Sequence, residues 1–377
     1  MWNILLYGVF FLLIAYWVWK YRYLITAVRK TYMKGKWGAH ILDGQYSAVH
    51  IIKNAEPQPW EKDNNYNQTP LSYQLLEHLA QTKTVSFLVV KRGKLLAEYY
   101  WSGHDEKSKT NSFSMAKSLT VMLLGCAIHD NKIQGTEAKL IDFYPEFSQD
   151  PYGKLCSLEH LSAMESGLDW EEDYSSPFKP NAKAYYGDDL AELMLKRRFK
   201  SSPGRQFEYQ SGTTQLLGFA IRKAIGMSLS DYASEKLWKP LGMEESAFWN
   251  LDRTEGMEKT YCCINAISRD FAKLGQLLLN LGQWQGKQIL QPEFVKKMIT
   301  GTPLSQGAYG NGIWVNKDAA VSHYYLRGLY GQYVICIPEH DIVMVRTGYT
   351  RSEQKDSKGR PAEVAFIVDE IVQLFNA

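Results

Sequence analysis

Asp and Glu are absent from residues 1–36, although the whole chain carries 40 of them against 43 Lys and Arg. That stretch holds Lys20, Arg22, Arg29, Lys30, Lys34 and Lys36, so the net charge of +3 divides into a basic N-terminus and a mildly acidic remainder. A body of that sign offers no basic face to nucleic acid, and no nucleic-acid partner is expected. Cysteine is also scarce. There are five, with no CxxC and no Cys/His spacing suited to zinc, and the eight histidines are dispersed. No metal site is predicted, and Cys126, Cys156, Cys336 and the adjacent Cys262 and Cys263 read as free or buried structural thiols. GxSxG is missing, which removes the α/β-hydrolase elbow. Walker and Rossmann glycine patterns are missing too, so no cofactor is called for.

Long uncharged runs are rare, with one exception. Ile4 to Trp19 (ILLYGVFFLLIAYWVW) has no charge, and bulky Tyr16, Trp17 and Trp19 stand where a signal peptide would need small residues. The run reads as an uncleaved transmembrane anchor over residues 1–19, slightly short for a hydrocarbon core of about 30 Å. A basic juxtamembrane segment and connector follow over 20–60, then one folded domain over 61–377. The basic flank favours a cytoplasmic body by the positive-inside rule.

Periodicity sets the fold class. Thr84–Val90 and Leu95–Trp101 read as a hairpin, as do Gly331–Ile337 and Ile342–Thr347 around the turn at Pro338 to Asp341. Helical spacing marks Ser114–His129, Leu190–Arg197, Thr214–Ile225, Leu229–Leu237, Ser268–Leu281 and Ala362–Phe375. Strands near both ends with helices between predict an α+β fold. Its antiparallel sheet would be built from both ends of the chain, flanked by helices, with a mainly helical region inserted.

The chemistry centres on Ser114-Met-Ala-Lys117. A serine hydroxyl needs a base to become a nucleophile at neutral pH. On a helix, positions i and i+3 share a face, so Lys117 can reach the Ser114 oxygen. A serine at a helix start also presents its own N–H to a developing oxyanion. Tyr209 and Ser211, in FEYQSG, precede a helix and can project together from a loop. Arg327-Gly328-Leu329 precedes an apolar strand whose glycine permits close approach to a substrate. Tyr185 is a further candidate at the cleft border, with a packed loop aromatic as the alternative. Trp170-Glu171-Glu172-Asp173 reads as a solvated acidic turn.

In order, SxxK, YxS and a glycine-bearing strand resemble the three motifs of the serine penicillin-recognising hydrolases. That group includes β-lactamases, D,D-peptidases and related esterases and amidases. The second motif points to the class C branch. FSMAKS, SGLDW, FEYQSGTTQLLGF, EKLWKPLGM and GQYVICIPEHDIVMVR are most similar to its 6-aminohexanoate-dimer hydrolase-type subgroup, over roughly residues 60 to 377. The resemblance implies that Ser114 is acylated, Lys117 is its base and Tyr209 carries the proton to the leaving group. It further implies that the N–H groups of Ser114 and Leu329 form the oxyanion hole. Ser211 stands where the class C pattern has Asn, which alters its contact with a substrate carbonyl. The third motif departs more, reading Leu326-Arg327-Gly328 in place of K-T-G or H-T-G. Loss of that cation counts against efficient β-lactam hydrolysis, while Arg327 either meets an acidic group or points to solvent. The expected function is hydrolysis of a small amide or ester without metal or cofactor. The alternative is a penicillin-binding-like sensor or cell-envelope scaffold with little turnover. Because the family mostly acts outside the cytoplasmic membrane, the expected location is the outer face.

Overall fold

β-Branched and aromatic residues from opposite ends of the body meet in one six-stranded antiparallel sheet. The computed structural model describes residues 2–375. Its strands run in the order Lys94–Tyr100, Thr84–Lys91, Ile342–Gly348, Gln332–Ile337, His323–Gly328, Trp314–Asn316. The junction between the chain's two ends is the pairing of Val345 with Leu88 and Val343 with Val90. Successive side chains alternate between faces. Leu88, Val90, Val334, Cys336, Val343 and Val345 enter the larger core. Phe87, Val89, Ile335 and Met344 enter a second core shared with the helix Tyr73–Gln81 and the final helix Ala362–Phe375. The predicted α+β architecture is the one observed.

The helix that carries the candidate nucleophile, Met115–His129, is buried from Met115 to Ala127. A helix that is apolar on every side belongs inside a protein, and this one packs against Ser211–Ile225 within the larger core. Packing of that kind holds the first turn rigidly.

Two expectations need correction. Residues 20–60 are more than a connector: Val49–Ile52 is the edge strand of a second, four-stranded sheet completed by Ala247–Asn250, Ile264–Ala266 and Thr110–Asn111. The body therefore begins before residue 61, because the edge of Ala247–Asn250 needs a partner for its backbone groups. Cys262 and Cys263 are joined in a disulfide between neighbours, whereas the other three cysteines are free and buried. Ordinary spacing rules had argued against a bond between adjacent residues.

The apolar N-terminal run forms helix α1, Trp2–Lys20, followed by helix α2, Arg22–Lys30. Among the described residues no single helix is long and apolar enough to cross a membrane; Leu5–Lys20 and Arg22–Lys34 pass that test only as a pair bent by 49°.

Candidate active site

The turn before Ser114 is tied down from three directions. Ser112 N–H donates to Ile264 O (2.7 Å) and Ser112 Oγ accepts from Ile264 N–H (3.1 Å), which locks the turn onto the second sheet. Phe113 then takes a left-handed backbone conformation (φ 43°), unusual for a side chain of its size. Its N–H donates to Asn111 Oδ1 (2.8 Å), and Asn111 Nδ2 donates to Asp43 Oδ1 (3.2 Å). Its ring packs edge-on against Tyr330. The kink aims Ser114 at the N-cap of its helix, where the first N–H groups have no helical partner.

One turn on, Lys117 is 1% exposed. Its Nζ lies 3.0 Å from Ser114 Oγ, 3.1 Å from Ser211 Oγ and 3.0 Å from the Tyr261 carbonyl oxygen. Among the described residues no carboxylate pairs with it directly. The Tyr209 ring centre stands 4.9 Å from Nζ, so the amine meets the aromatic ring. Tyr209 is half-buried, flanked by Trp314 at 5.3 Å and Tyr309 at 5.9 Å between ring centres. The structure thus brings Ser114, Lys117, Tyr209 and Ser211 together.

Ser211 is fully engaged within the protein. Its N–H and O–H both donate to Glu172, each at 2.7 Å. Glu172 also accepts from Trp170 Nε1 (3.0 Å) and from the Tyr174 hydroxyl. The acidic stretch is therefore no solvated turn at Glu172, since Trp170 is buried and pulls the loop inward. Sequence reasoning missed this residue; the buried-type Trp two positions earlier was its signal. Glu172 is a positioning residue: it fixes the rotor of Ser211, which in turn fixes Lys117. Glu172→Ala is expected to lower kcat on a soluble ester roughly ten- to a hundredfold, the scale of a mis-set positioning contact, with KM little changed. Glu172→Gln keeps one acceptor oxygen and should recover part of that loss. Equal kinetics in all three proteins, measured with matched melting curves, would remove the role.

The third element approaches from the sheet. A Cβ placed on Gly328 would run into the carbonyl oxygen of Ser112, so only glycine lets the strand end come this close. Leu329 follows at the start of a single 3-10 turn, with its N–H ahead of any helical bond. Buried Arg346 shapes that turn by donating to Tyr330 O (2.9 Å) and Gly331 O (2.7 Å), and also to Thr82 O and Thr350 O. Burial holds its pKa below the usual arginine value.

Two candidates sit differently from expectation. Arg327 lies with its guanidinium 4.9 Å from the Trp314 ring, one aromatic away from Tyr209, while Leu326 is buried. Tyr185 faces inward: its hydroxyl donates to Asp43 (2.7 Å), and burial together with that carboxylate holds its pKa well above the ordinary phenol value. Beneath it, Lys259 donates to the Tyr185 carbonyl oxygen (2.5 Å), and burial pushes its pKa down to about 7. The Tyr185 hydroxyl is thus spent on Asp43, which also receives Asn111 Nδ2, as in the packed-aromatic alternative.

Comparison with known proteins gives the family and the fold. The Beta-lactamase family model matches residues 74–368. The 6-aminohexanoate-dimer hydrolase of Paenarthrobacter ureafaciens is 25% identical over 297 residues, covering 72% of this chain and 74% of that protein. A solved structure of a Bacillus anthracis protein of the 6-aminohexanoate-dimer hydrolase type superposes with a TM-score of 0.75 at 23% identity, covering 89% and 93% of the two chains. A family VIII carboxylesterase shares the fold at a TM-score of 0.60 and 16% identity, covering 78% and 96%. With a matching family model over most of its length, an SxxK helix and the expected sheet beside it, the chain belongs to the Beta-lactamase family of serine hydrolases.

Proposed function

We propose that this chain hydrolyses a small amide or ester through an acyl-enzyme on Ser114. The observation that carries the reading is the 3.0 Å approach of buried Lys117 Nζ to Ser114 Oγ. In the reacting form the amine is neutral and accepts the Ser114 proton as the hydroxyl oxygen attacks the carbonyl carbon. The N–H groups of Ser114 and Leu329 stabilise the developing oxyanion. Tyr209, beside Lys117, relays the proton to the leaving amine or alcohol. Water then attacks the acyl carbon and releases the acid.

The third motif supports a linear substrate over a β-lactam. Buried Leu326 supplies no cation, and the guanidinium of Arg327 against Trp314 supports a reading in which it meets an acidic group of the substrate. The membrane anchor we propose is the apolar α1, the inserted part of the bent α1–α2 pair, with the catalytic body on the outer face. A panel of p-nitrophenyl esters, short linear amides including the 6-aminohexanoate dimer, and a chromogenic cephalosporin tests this. Esters or linear amides should turn over at least tenfold faster than the cephalosporin, as kcat/KM. A long-lived acyl-enzyme without turnover of any of them would favour a sensor, and a preferred cephalosporin would overturn the substrate reading.

A further inference from the structure

The segment between Glu172 and Asp188 is held at both ends by partners of different kinds. At one end Glu172 holds Ser211, which contacts Lys117. At the other end it carries the foot of the N-terminal helices. Arg22 makes a two-pronged contact with Asp188 (3.0 and 2.7 Å), the buried Tyr23 donates its hydroxyl to Pro177 O (3.1 Å), and Tyr21 packs edge-on against Phe178 at 5.9 Å. The site loop is therefore in direct contact with the junction of α1 and α2.

What this region shows to its surroundings is unusual for a body bathed in water. Every large apolar side chain of α1 from Leu5 to Trp19 is exposed. Exposed apolar groups continue past it in Ile25, Val28, Tyr32, Met33 and Trp37, the last 89% exposed. Arg29, Lys34 and Lys36 are interspersed among them, with no acid before Asp43. Beside them Phe178 (67%) and Tyr174 (60%) stand out from the site loop itself. Aromatic side chains mixed with Lys and Arg are the composition of a surface seated at an anionic headgroup layer. The same segment also reaches the oxyanion side: a Cβ on Gly38 would lie 3.9 Å from the Tyr330 hydroxyl.

The geometry points to an active-site mouth that lies in the plane of an anionic lipid surface and takes its ester or amide substrate from that surface. Resting on the hydrolase reading above, this narrows the substrate class to membrane-borne amphiphiles whose scissile bond sits near the headgroups. With α1 inserted, α2 and residues 31–37 lie along the interface. Phe178 and Tyr174 then border the route from lipid to Ser114.

The full chain is added to vesicles of 30% phosphatidylglycerol in phosphatidylcholine. It is assayed on p-nitrophenyl palmitate held in the bilayer and on p-nitrophenyl acetate in solution. Met33→Ser/Trp37→Ser should lower palmitate turnover at least tenfold while leaving acetate turnover unchanged. Arg29→Glu/Lys34→Glu/Lys36→Glu should lower palmitate turnover at least tenfold on these vesicles and not on pure phosphatidylcholine. The proposal is overturned if palmitate turnover survives both sets of changes, or if acetate and palmitate turnover fall together. Wild-type protein inert on both esters would instead sink the hydrolase reading on which it rests.

Discussion

Ser114→Ala is expected to lower hydrolysis of a soluble p-nitrophenyl ester by roughly 10⁴- to 10⁶-fold, the scale seen when a catalytic nucleophile is removed. Covalent labelling by a serine-directed phosphonate should vanish with it. The fold should not suffer. Lys117 keeps two acceptors, Ser211 Oγ and Tyr261 O, so the change in stability should stay within about 1 kcal/mol, the worth of one hydrogen bond. The neighbouring serines make the test sharp. Ser112 Oγ donates to Phe113 O (3.0 Å) and Ser118 Oγ donates to Gly312 O (2.5 Å), and both residues are buried. Neither has a base beside a free hydroxyl. Label recovered by mass spectrometry on any serine of the Ser114→Ala protein at the wild-type rate would show that the nucleophile lies elsewhere.

What could be read in advance was whatever depends on local spacing. The SxxK pair required only that residues 115–129 form a helix, and a run of Met, Leu and Val at helical spacing guarantees that. The hairpins at 84–100 and 332–348 were legible because apolar, β-branched runs bracket Arg92-Gly93 and Pro338-Glu339-His340-Asp341. Contacts between segments remote in sequence were not legible. Nothing near Asp43 signals that it will receive Asn111 and Tyr185, 68 and 142 residues away. Tyr261 reaches Lys117 through its backbone carbonyl, a group every residue possesses, so no side-chain pattern could announce it. Glu172 was misread because an acidic residue next to other acids is usually solvated. Here Trp170 Nε1 and the Ser211 N–H and O–H hold one of the three carboxylates inward, leaving Glu171 outside with Lys179. Val49–Ile52 is too short, and too exposed on its outer edge, to show strand periodicity.

Lys117→Met should separate catalysis from stability. Methionine matches the length of lysine and fills the same buried channel without charge or proton-accepting nitrogen. Turnover of the soluble ester should fall at least 10³-fold, because Ser114 loses the group that takes its proton and the Ser114–Tyr209 pair is left without the amine between them. Stability should move the other way. Burying a polar head group away from water has a cost that its three hydrogen bonds offset only in part, and well-packed apolar replacements at such positions are often neutral or stabilising. The melting temperature of Lys117→Met is therefore expected to equal or exceed that of the wild type, as it does when a site trades stability for activity. Lys117→Arg should not rescue turnover: a guanidinium stays protonated, and its planar fork cannot enter the space between Ser114, Ser211 and the Tyr261 carbonyl without displacing one of them. If Lys117→Met kept more than a tenth of wild-type kcat while Tyr209→Phe lost all of it, the phenol would be the base. Lys117 would then serve only to hold the serine.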